Sequence, residues 1–284
     1  MTRHPTLAEL RTRVFKHSAL GTQHSVLKRS EVGTWLARWV GRPAAVYGTW
    51  VAVRIGLSAH QVTLAALVAG LAAAAAIATG TRAGFVVGVA LAQLAYWLDH
   101  VDGQVARWRR TTSLDGVYFD YLMHHAVGLA LGFSLGFGLA VRTSDLRWSA
   151  AGFGVAAGWT FLSLHNDCRY KAFIQRLKLK GRSYRVDGSG FRPAPSPPWP
   201  RLGRAALTWP LYKACEPHVV LLGLTALSLL AIAAPAAWLM LWRGGVRFMA
   251  ILAPALAFGR AARAIRRGAV EAEFDLWFRP GAPL

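Results

Sequence analysis

The most informative part of the sequence is residues 99–124, which read DHVDGQVARWRRTTSLDGVYFDYLMH. The chain has only 13 acidic residues, yet four of them fall in this stretch, where one apolar run ends and the next begins. A carboxylate is costly to bury at membrane depth, so acids placed there indicate a functional site. The four acids are Asp99, Asp102, Asp115 and Asp120.

The composition around this stretch is that of an integral membrane protein. Of the 284 residues 54% are hydrophobic and 16% are charged, which leaves too few polar side chains to surround a soluble core. Six apolar runs are each close to the length of about 20 residues that a helix needs to cross the bilayer. We therefore predict an all-α integral membrane fold with about six transmembrane helices. The runs are 62–79, 83–101, 117–141, 148–165, 217–241 and 246–260.

The boundary between the last two runs is poorly defined. Two arginines and two glycines interrupt the apolar pattern there, which favours a loop or a broken helix. Five spans therefore remain an alternative to six. The interrupting residues are Arg243, Gly244, Gly245 and Arg247.

The net charge of +20 could indicate nucleic-acid binding, but the positions of the basic residues favour a membrane. Most lysines and arginines fall in 1–54, 103–116, 166–216 and 259–284, between or outside the apolar runs. With six spans these segments share one side, so the positive-inside rule places both termini in the cytoplasm of a multi-pass cell-membrane protein. We expect the lipid bilayer, and no nucleic acid, as a partner.

The polar segments complete the predicted organisation. Residues 1–43 mix basic and apolar positions as an interfacial amphipathic helix does, although a solvated arm is the alternative for the first twenty. They contain no apolar signal-peptide core, so we expect no cleavable signal. We assign 44–262 to the membrane domain, with 166–216 as a proline-rich cytoplasmic loop, and 263–284 to a cytoplasmic tail. Cys168 and Cys215 fall in or beside the loop, where we expect reduced thiols and no disulfide.

The spacing of the acids predicts a site shared by two helices. Asp99 and Asp102 are three residues apart and lie on one helix face, while Gly116, Asp120 and His124 follow one another at intervals of four on the next helix. If the two helices are antiparallel neighbours, these faces converge. Carboxylate oxygens suit Mg²⁺ or Mn²⁺ better than a sulfur-seeking metal. The alternative for any single acid is pairing with a nearby arginine.

Residues that suit a diphosphate stand beside these acids. Gly103 lets a phosphate approach the backbone, and Ala106 keeps that helix face shallow. Arg107 supplies a forked donor that matches phosphate oxygens. The stretch therefore predicts a divalent cation beside a diphosphate.

This arrangement resembles the signature of the CDP-alcohol phosphotransferase (CDP-alcohol phosphatidyltransferase) family. Seven of the eight fixed positions match at the family spacing, and the required context of two membrane helices is present. The stretch from Gly56 to Thr63 also resembles the start of the first span in that family, where these two residues match. The signature positions here are Asp99, Asp102, Gly103, Ala106, Arg107, Gly116, Asp120 and, at the eighth, His124.

The resemblance implies transfer of a phospho-substituted group, such as phosphatidyl, from CDP-diacylglycerol or another CDP-alcohol to an alcohol or polyol-phosphate acceptor. CMP would be released, in phospholipid biosynthesis, by a homodimer. It also implies a two-metal site on the first three aspartates. Nucleotide contacts would come from Gly103, Ala106, Arg107 and Gly116. Ser113 matches a nucleotide-contacting hydroxyl in some members, or is a turn residue before the next helix.

The chain departs from the family at His124, where the pattern has a fourth aspartate that is the expected base. Imidazole can ligate a divalent ion or act as a general base, but it removes a negative charge and should weaken the second ion. We therefore expect Asp120 and His124 to be catalytic, with His125 or Asp115 assisting. The alternative is a non-catalytic CDP-binding homologue. A prenyltransferase would need a second intramembrane pair of acids, which the sequence lacks.

A second polar cluster lies where the fourth apolar run meets the long loop. Its basic residues could bind a phosphate on the acceptor, or could reach toward anionic lipid headgroups. The arginines at 260–267 favour a role in holding the chain end on anionic lipid. The residues of the cluster are His165, Asn166, Asp167, Arg169 and Lys171.

Overall fold

The computed structural model describes residues 6–10, 40–180, 184–186 and 204–280, and these are almost entirely helical. Residues 7–10 form one turn of helix. The longer helices are α1 (Arg42–Arg54), α2 (Ala59–Ala78), α3 (Arg82–Arg109), α4 (Leu114–Thr143), α5 (Arg147–Lys180), α6 (Arg204–Ala214), α7 (Pro217–Ala233), α8 (Pro235–Arg266) and α9 (Ala269–Trp277). The strands β1 (Tyr184–Val186) and β2 (Phe278–Pro280) form an antiparallel pair.

Four of these helices are long and apolar enough to cross a membrane, namely α2, α3, α4 and α8. Helix α7 is apolar but has only 17 residues. Helix α5 has 34 residues and contains the predicted span 148–165, but its second half is rich in lysine and arginine. The all-helical membrane architecture is thus supported by four candidate spans, and the count of six remains a prediction.

The last two predicted spans meet at a different place from the one expected. Helix α7 ends at Ala233, and Pro235 begins α8, because proline lacks the N–H that would continue the helix. The expectation of a break at residues 243–247 is wrong, since α8 runs through them without interruption. Glycines are tolerated inside such helices because their backbone groups stay hydrogen-bonded within the helix.

The described residues include only parts of the predicted polar segments. Helix α5 continues to Lys180, and α6 ends at Ala214, so both ends of the predicted loop 166–216 are helical. The proline-rich stretch 193–200 and most of the predicted interfacial segment 1–43 lie outside the described residues. Within that segment, Leu10 is fully buried in a small cluster with Val46 of α1.

The main core is built from aromatic and aliphatic side chains of α2, α3, α4, α5, α7 and α8. Phe85 contacts Trp238 and Trp242 with ring centroids 5.5 and 4.8 Å apart. Leu139 and Ile77, both fully buried, belong to the same cluster. This core lies toward the end of α3 opposite Asp99, so it supports the helices and leaves the acidic stretch at the other end.

Helices α4 and α5 approach each other through small residues. A Cβ added to Gly136 would lie 2.3 Å from the backbone nitrogen of Gly152, and one added to Gly132 would lie 2.8 Å from the Cα of Ala156. Backbones can come this close only where side chains are absent, which is how small residues stabilise helix pairs in membranes.

The last described helix, α9, packs back on α5. Phe274 of α9 is buried against Phe173 of α5, and Trp277 contacts both Tyr170 and Phe173. Strand β2 then pairs with β1, which follows α5. The residues of the predicted tail that the structure describes are therefore packed on the bundle.

Substitution of Gly136 by Ala should destabilise the protein by about 1–3 kcal/mol, because the added methyl group meets backbone atoms that cannot yield by rotamer change. Thermal unfolding in detergent measures this. Gly128→Ala is the matched control, because Gly128 lies on the same helix with no heavy atom within 4 Å of an added Cβ. Equal midpoints for the two variants would contradict the close packing.

The two thiols should differ in reactivity. Cys168 is exposed, whereas burial raises the pKa of the Cys215 thiol to about 11. At pH 8 about one thousandth of the Cys215 side chains would be thiolate, the reactive form. We expect maleimide to modify Cys168 at least about tenfold faster, as measured by mass spectrometry on the Cys168→Ser and Cys215→Ser single variants. Similar rates would show that Cys215 is not protected.

Candidate metal site

Three side chains converge between the end of α3 and the first turns of α4. His124 Nε2 lies 3.3 Å from Asp99 Oδ1, and His124 Nδ1 lies 3.3 Å from Asp120 Oδ1. One ligand atom of each residue lies within 4.8 Å of those of the other two. The predicted convergence of Asp99, Asp120 and His124 is thus present.

The helices that carry this group are joined through a third. The backbones of α3 and α4 are close at few residues, and α2 packs against both. The side chains of Asp99 and His124 nevertheless meet. They do so beside α2 because the connection is short: Arg110 ends α3 in a left-handed conformation at φ 56°, and Ser113 begins α4.

Asp102 lies outside the group of three and is held by α2. The Thr63 hydroxyl donates to Asp102 Oδ2 at 2.7 Å, and Asp102 is buried with 7% exposure. Thr63 Oγ1 also lies 3.0 Å from the carbonyl oxygen of Ala59, so its single hydrogen is shared between two acceptors. Asp102 remains within electrostatic range of Asp99 and Asp120. Thr63 matched the family pattern in the sequence, but its bond to Asp102 was not predicted.

Gly103 and Arg107 lie one turn apart and face each other. A Cβ added to Gly103 would lie 3.2 Å from Arg107 Nη1, so the guanidinium rests against bare backbone. Arg107 is within electrostatic range of Asp102 and of Arg42 in α1. Ala106 is half-buried on the same helix. A phosphate at this surface would meet a forked donor and no side chain at residue 103.

Ser113 and Gly116 form the first turn of α4. The Gly116 N–H donates to Ser113 Oγ at 3.0 Å, so Ser113 is the N-terminal cap of the helix. This geometry is the one expected for a turn residue, and a nucleotide contact by Ser113 remains a prediction. His60 of α2 comes close to Gly116, with its Cε1 3.6 Å from an added Cβ.

Two further residues position the site and were not predicted. Gln104 is fully buried and joins α3 to α1, because its Nε2 donates to the Arg42 carbonyl at 2.8 Å and its Oε1 accepts from Thr49 Oγ1 at 2.9 Å. His100 Nδ1 lies 3.4 Å from Asp99 Oδ2. The position of Gln104 between apolar residues 101 and 105 could have indicated a buried polar contact. Nothing in the spacing of the sequence distinguishes His100.

The second polar cluster adjoins this group. His125 follows His124 on α4, and its Nε2 lies 2.8 Å from Asp167 Oδ2 of α5. Arg169 of α5 pairs with Glu273 of α9 at 2.8 Å. Asp115 is exposed in the first turn of α4 and does not join the group of three.

The group of three suits a hard divalent cation. Two carboxylates and one imidazole supply oxygen and nitrogen donors, which Mg²⁺ and Mn²⁺ accept, and no thiol is among them. Asp99 is paired with His100 and His124, and Asp120 with His124. These contacts are to histidines, whereas the alternative in the sequence is pairing of an acid with an arginine of the 107–110 turn.

Substitution of Thr63 by Val should leave Asp102 without its hydroxyl donor and cost about 1–3 kcal/mol of stability. Thermal unfolding in detergent is the measurement. Thr143→Val is the control, because Thr143 Oγ1 donates to the Leu139 carbonyl one turn earlier on its own helix. The hydrogen bond to Asp102 would be unimportant if both variants melted alike.

The comparison with known proteins agrees with the geometry. The family model described as CDP-alcohol phosphatidyltransferase matches residues 57–174, a range that contains α2, α3, α4 and every residue of the candidate metal group. No curated protein matches the chain. The match over residues 57–174 supports assignment of the chain to the CDP-alcohol phosphatidyltransferase family.

Proposed function

We propose that the protein is an active membrane transferase that moves a phosphatidyl group from a CDP-linked donor to the hydroxyl of an alcohol, with release of CMP, in phospholipid biosynthesis. The observation that carries the proposal is the convergence of Asp99, Asp120 and His124 between α3 and α4. Family membership implies the reaction class, namely phosphatidyl transfer from a CDP-alcohol.

The acidic residues would hold the cation. Asp99 and Asp120 would hold one Mg²⁺ or Mn²⁺, with His124 as a further ligand if it is not the base. Asp102 would contribute to a second ion, with Thr63 fixing the rotation of its carboxylate. Bound there, such an ion would neutralise the diphosphate and stabilise the negative charge on departing CMP.

The end of α3 would hold the donor. Arg107 would donate to the diphosphate oxygens from beside Gly103, whose lack of a side chain leaves the backbone open. Ala106 would leave room on the same surface, and Gly116 and Ser113 at the start of α4 would meet the nucleotide from the other side. Gln104 would act indirectly, by fixing α1 and Arg42 next to Arg107.

The hydrogen bonds of His124 suit it to accept a proton. Its Nδ1 lies 2.7 Å from the Asp120 carbonyl oxygen, which can only accept, so Nδ1 carries the hydrogen. Nε2 then faces Asp99 Oδ1 at 3.3 Å, where two acceptors repel unless a proton or a cation lies between them. The ring is 50% exposed, so an acceptor alcohol can reach it.

In the proposed reaction, the acceptor oxygen attacks the phosphatidyl phosphorus and the bond from that phosphorus to the CMP oxygen breaks. The hydroxyl proton passes to His124 Nε2, while Asp120 orients the ring as the partner of a general base does. If Nε2 instead ligates the cation, His124 is the fourth ligand, and Asp120 is the base.

The non-catalytic alternative also has an observation in its favour. His124 Nε2 pairs directly with one oxygen of Asp99, and imidazole brings no negative charge to the group. A CDP-binding protein without turnover would have this arrangement if the cation were held too weakly.

We also propose the setting of the reaction. The dense basic residues at 103–116 and beyond 258 favour the cytoplasmic face of the cell membrane for the site, with both termini on that face. A homodimer rests on the family resemblance.

The test measures CMP release by the detergent-purified protein with Mg²⁺ or Mn²⁺, supplied with CDP-diacylglycerol or a soluble CDP-alcohol and a panel of polyols. We expect release to stop with a chelator and to fall at least about a hundredfold in Asp120→Asn. Asp145→Asn, an exposed acid in the turn after α4, should retain the normal rate.

The substitutions of His124 separate its two roles. If it is the base, His124→Ala lowers kcat and leaves the Mn²⁺ affinity unchanged; if it is a ligand, the Mn²⁺ affinity falls as well. His124→Asp restores the family pattern and should remain active. Absence of CMP release from both donors, with CDP binding intact, would refute the transferase and support the non-catalytic alternative.

A further inference from the structure

A polar cluster continues from the metal group into the space between α4, α5, α8 and α9. His125 bonds to Asp167, and the neighbouring Asn166 accepts from Arg260 Nη2 at 3.1 Å. Arg169, two residues further along α5, pairs with Glu273. His125 follows His124 on α4 and points from a neighbouring face of the helix, so the cluster begins one residue away from the metal group.

Two arginines of the cluster face the same carboxylate. Arg169 Nη1 lies 2.8 Å from Glu273 Oε2, and Arg260 is also within electrostatic range of Glu273. The side chains of Arg169 and Glu273 are only 18% and 23% exposed. Burial raises the pKa of Glu273, while the two arginines act in the opposite direction. Arg169 Nε is buried, and no acceptor for it lies among the described residues.

Glu273 lies on α9, and α9 packs firmly against α5. Phe274, next to Glu273, is 1% exposed and contacts Phe173 with ring centroids 5.5 Å apart. Glu271, two residues earlier on α9, pairs with Arg176 of α5. The pairing of β2 with β1 holds the far end of the segment. The fold therefore holds the Glu273 carboxylate next to Arg169 at a high effective concentration, where it takes the place that a bound anion would occupy.

We propose that Glu273 determines acceptor specificity: it pairs with Arg169 and lowers the positive potential at Arg260 from within the chain, so that the cluster next to the metal group takes an uncharged alcohol and excludes a phosphorylated one. The inference rests on the proposed transferase activity and narrows its acceptor class. A phosphate monoester would have to displace Glu273 and leave a half-buried carboxylate without its partner, which is costly.

The remaining groups of the cluster suit hydroxyls. The Asp167 carboxylate can accept from a hydroxyl, the Asn166 amide can both donate and accept, and His125 can do either according to its tautomer. These groups can orient an alcohol without requiring it to carry a charge. An acceptor with several hydroxyl groups would therefore gain affinity here, and one with a phosphate would lose it.

The first test measures binding of inorganic phosphate by calorimetry to the full-length protein in detergent, without donor. We expect Glu273→Gln to bind phosphate at least about tenfold more tightly than the wild type, because the arginines lose their internal anion. The gain should disappear in Glu273→Gln/Arg169→Gln.

The control is Glu271→Gln, which makes the same change in net charge on the same helix but removes the partner of Arg176. It should bind phosphate as the wild type does. An equal gain in Glu271→Gln, or no gain in Glu273→Gln, would overturn the proposal. Matching thermal midpoints of the two variants establish that both fold.

The second test compares glycerol with glycerol 3-phosphate as acceptors in the CMP-release assay. The wild type should prefer glycerol, and Glu273→Gln should shift the ratio of kcat/KM at least about tenfold toward the phosphorylated acceptor. A wild type that prefers glycerol 3-phosphate overturns the proposal, and this arm does not depend on any variant folding. If the wild type releases no CMP with any acceptor, the transferase proposal fails, and the binding test still decides whether Glu273 closes an anion site.

Discussion

Acidic side chains that lie between largely apolar helices each need a hydrogen-bond donor or a positive charge nearby. In the described part of the chain, the groups that meet this need come from several different helices. Asp102 meets the Thr63 hydroxyl of α2, and Asp99 meets imidazoles from α3 and α4. Each of these partners comes from a different place in the sequence. Bringing them together therefore fixes how α2, α3 and α4 stand relative to one another, and Gln104 extends the same arrangement to α1.

In the neighbouring polar cluster, basic side chains likewise lie next to a group of opposite charge. Arg169 and Arg260 are far from the acids of α3 in sequence, and they receive a carboxylate from the last described helix. The protein carries a large positive charge overall, so an internal anion at this position is informative. Arg169 has an internal partner in Glu273, and Arg260 lies within electrostatic range of the same carboxylate.

Much of the site could be predicted because it follows helical periodicity. The intervals of three and four residues brought Asp99, Asp120 and His124 onto converging faces, and the structure has that convergence. The bond from Thr63 to Asp102 spans 39 residues and depends on how α2 packs, which spacing alone does not determine. The pair formed by Arg169 and Glu273 spans more than 100 residues and was beyond the sequence for the same reason. The fold class was predictable from composition. The break between the last two predicted spans was expected near two glycines, but it lies before α8, where Pro235 is the stronger signal for a helix start.

The close contact between Gly136 and Gly152 has a consequence for the distant His124. Helix α4 carries both Gly136 and His124, twelve residues apart, a separation of about 18 Å along the helix axis. If α4 is held at that contact, a tilt of about 5° about it would move the His124 imidazole by roughly 1.5 Å. Spanning helices tilt by different amounts in bilayers of different thickness. A change in the tilt of α4 about the Gly136 contact would therefore change the separation between His124 and Asp99.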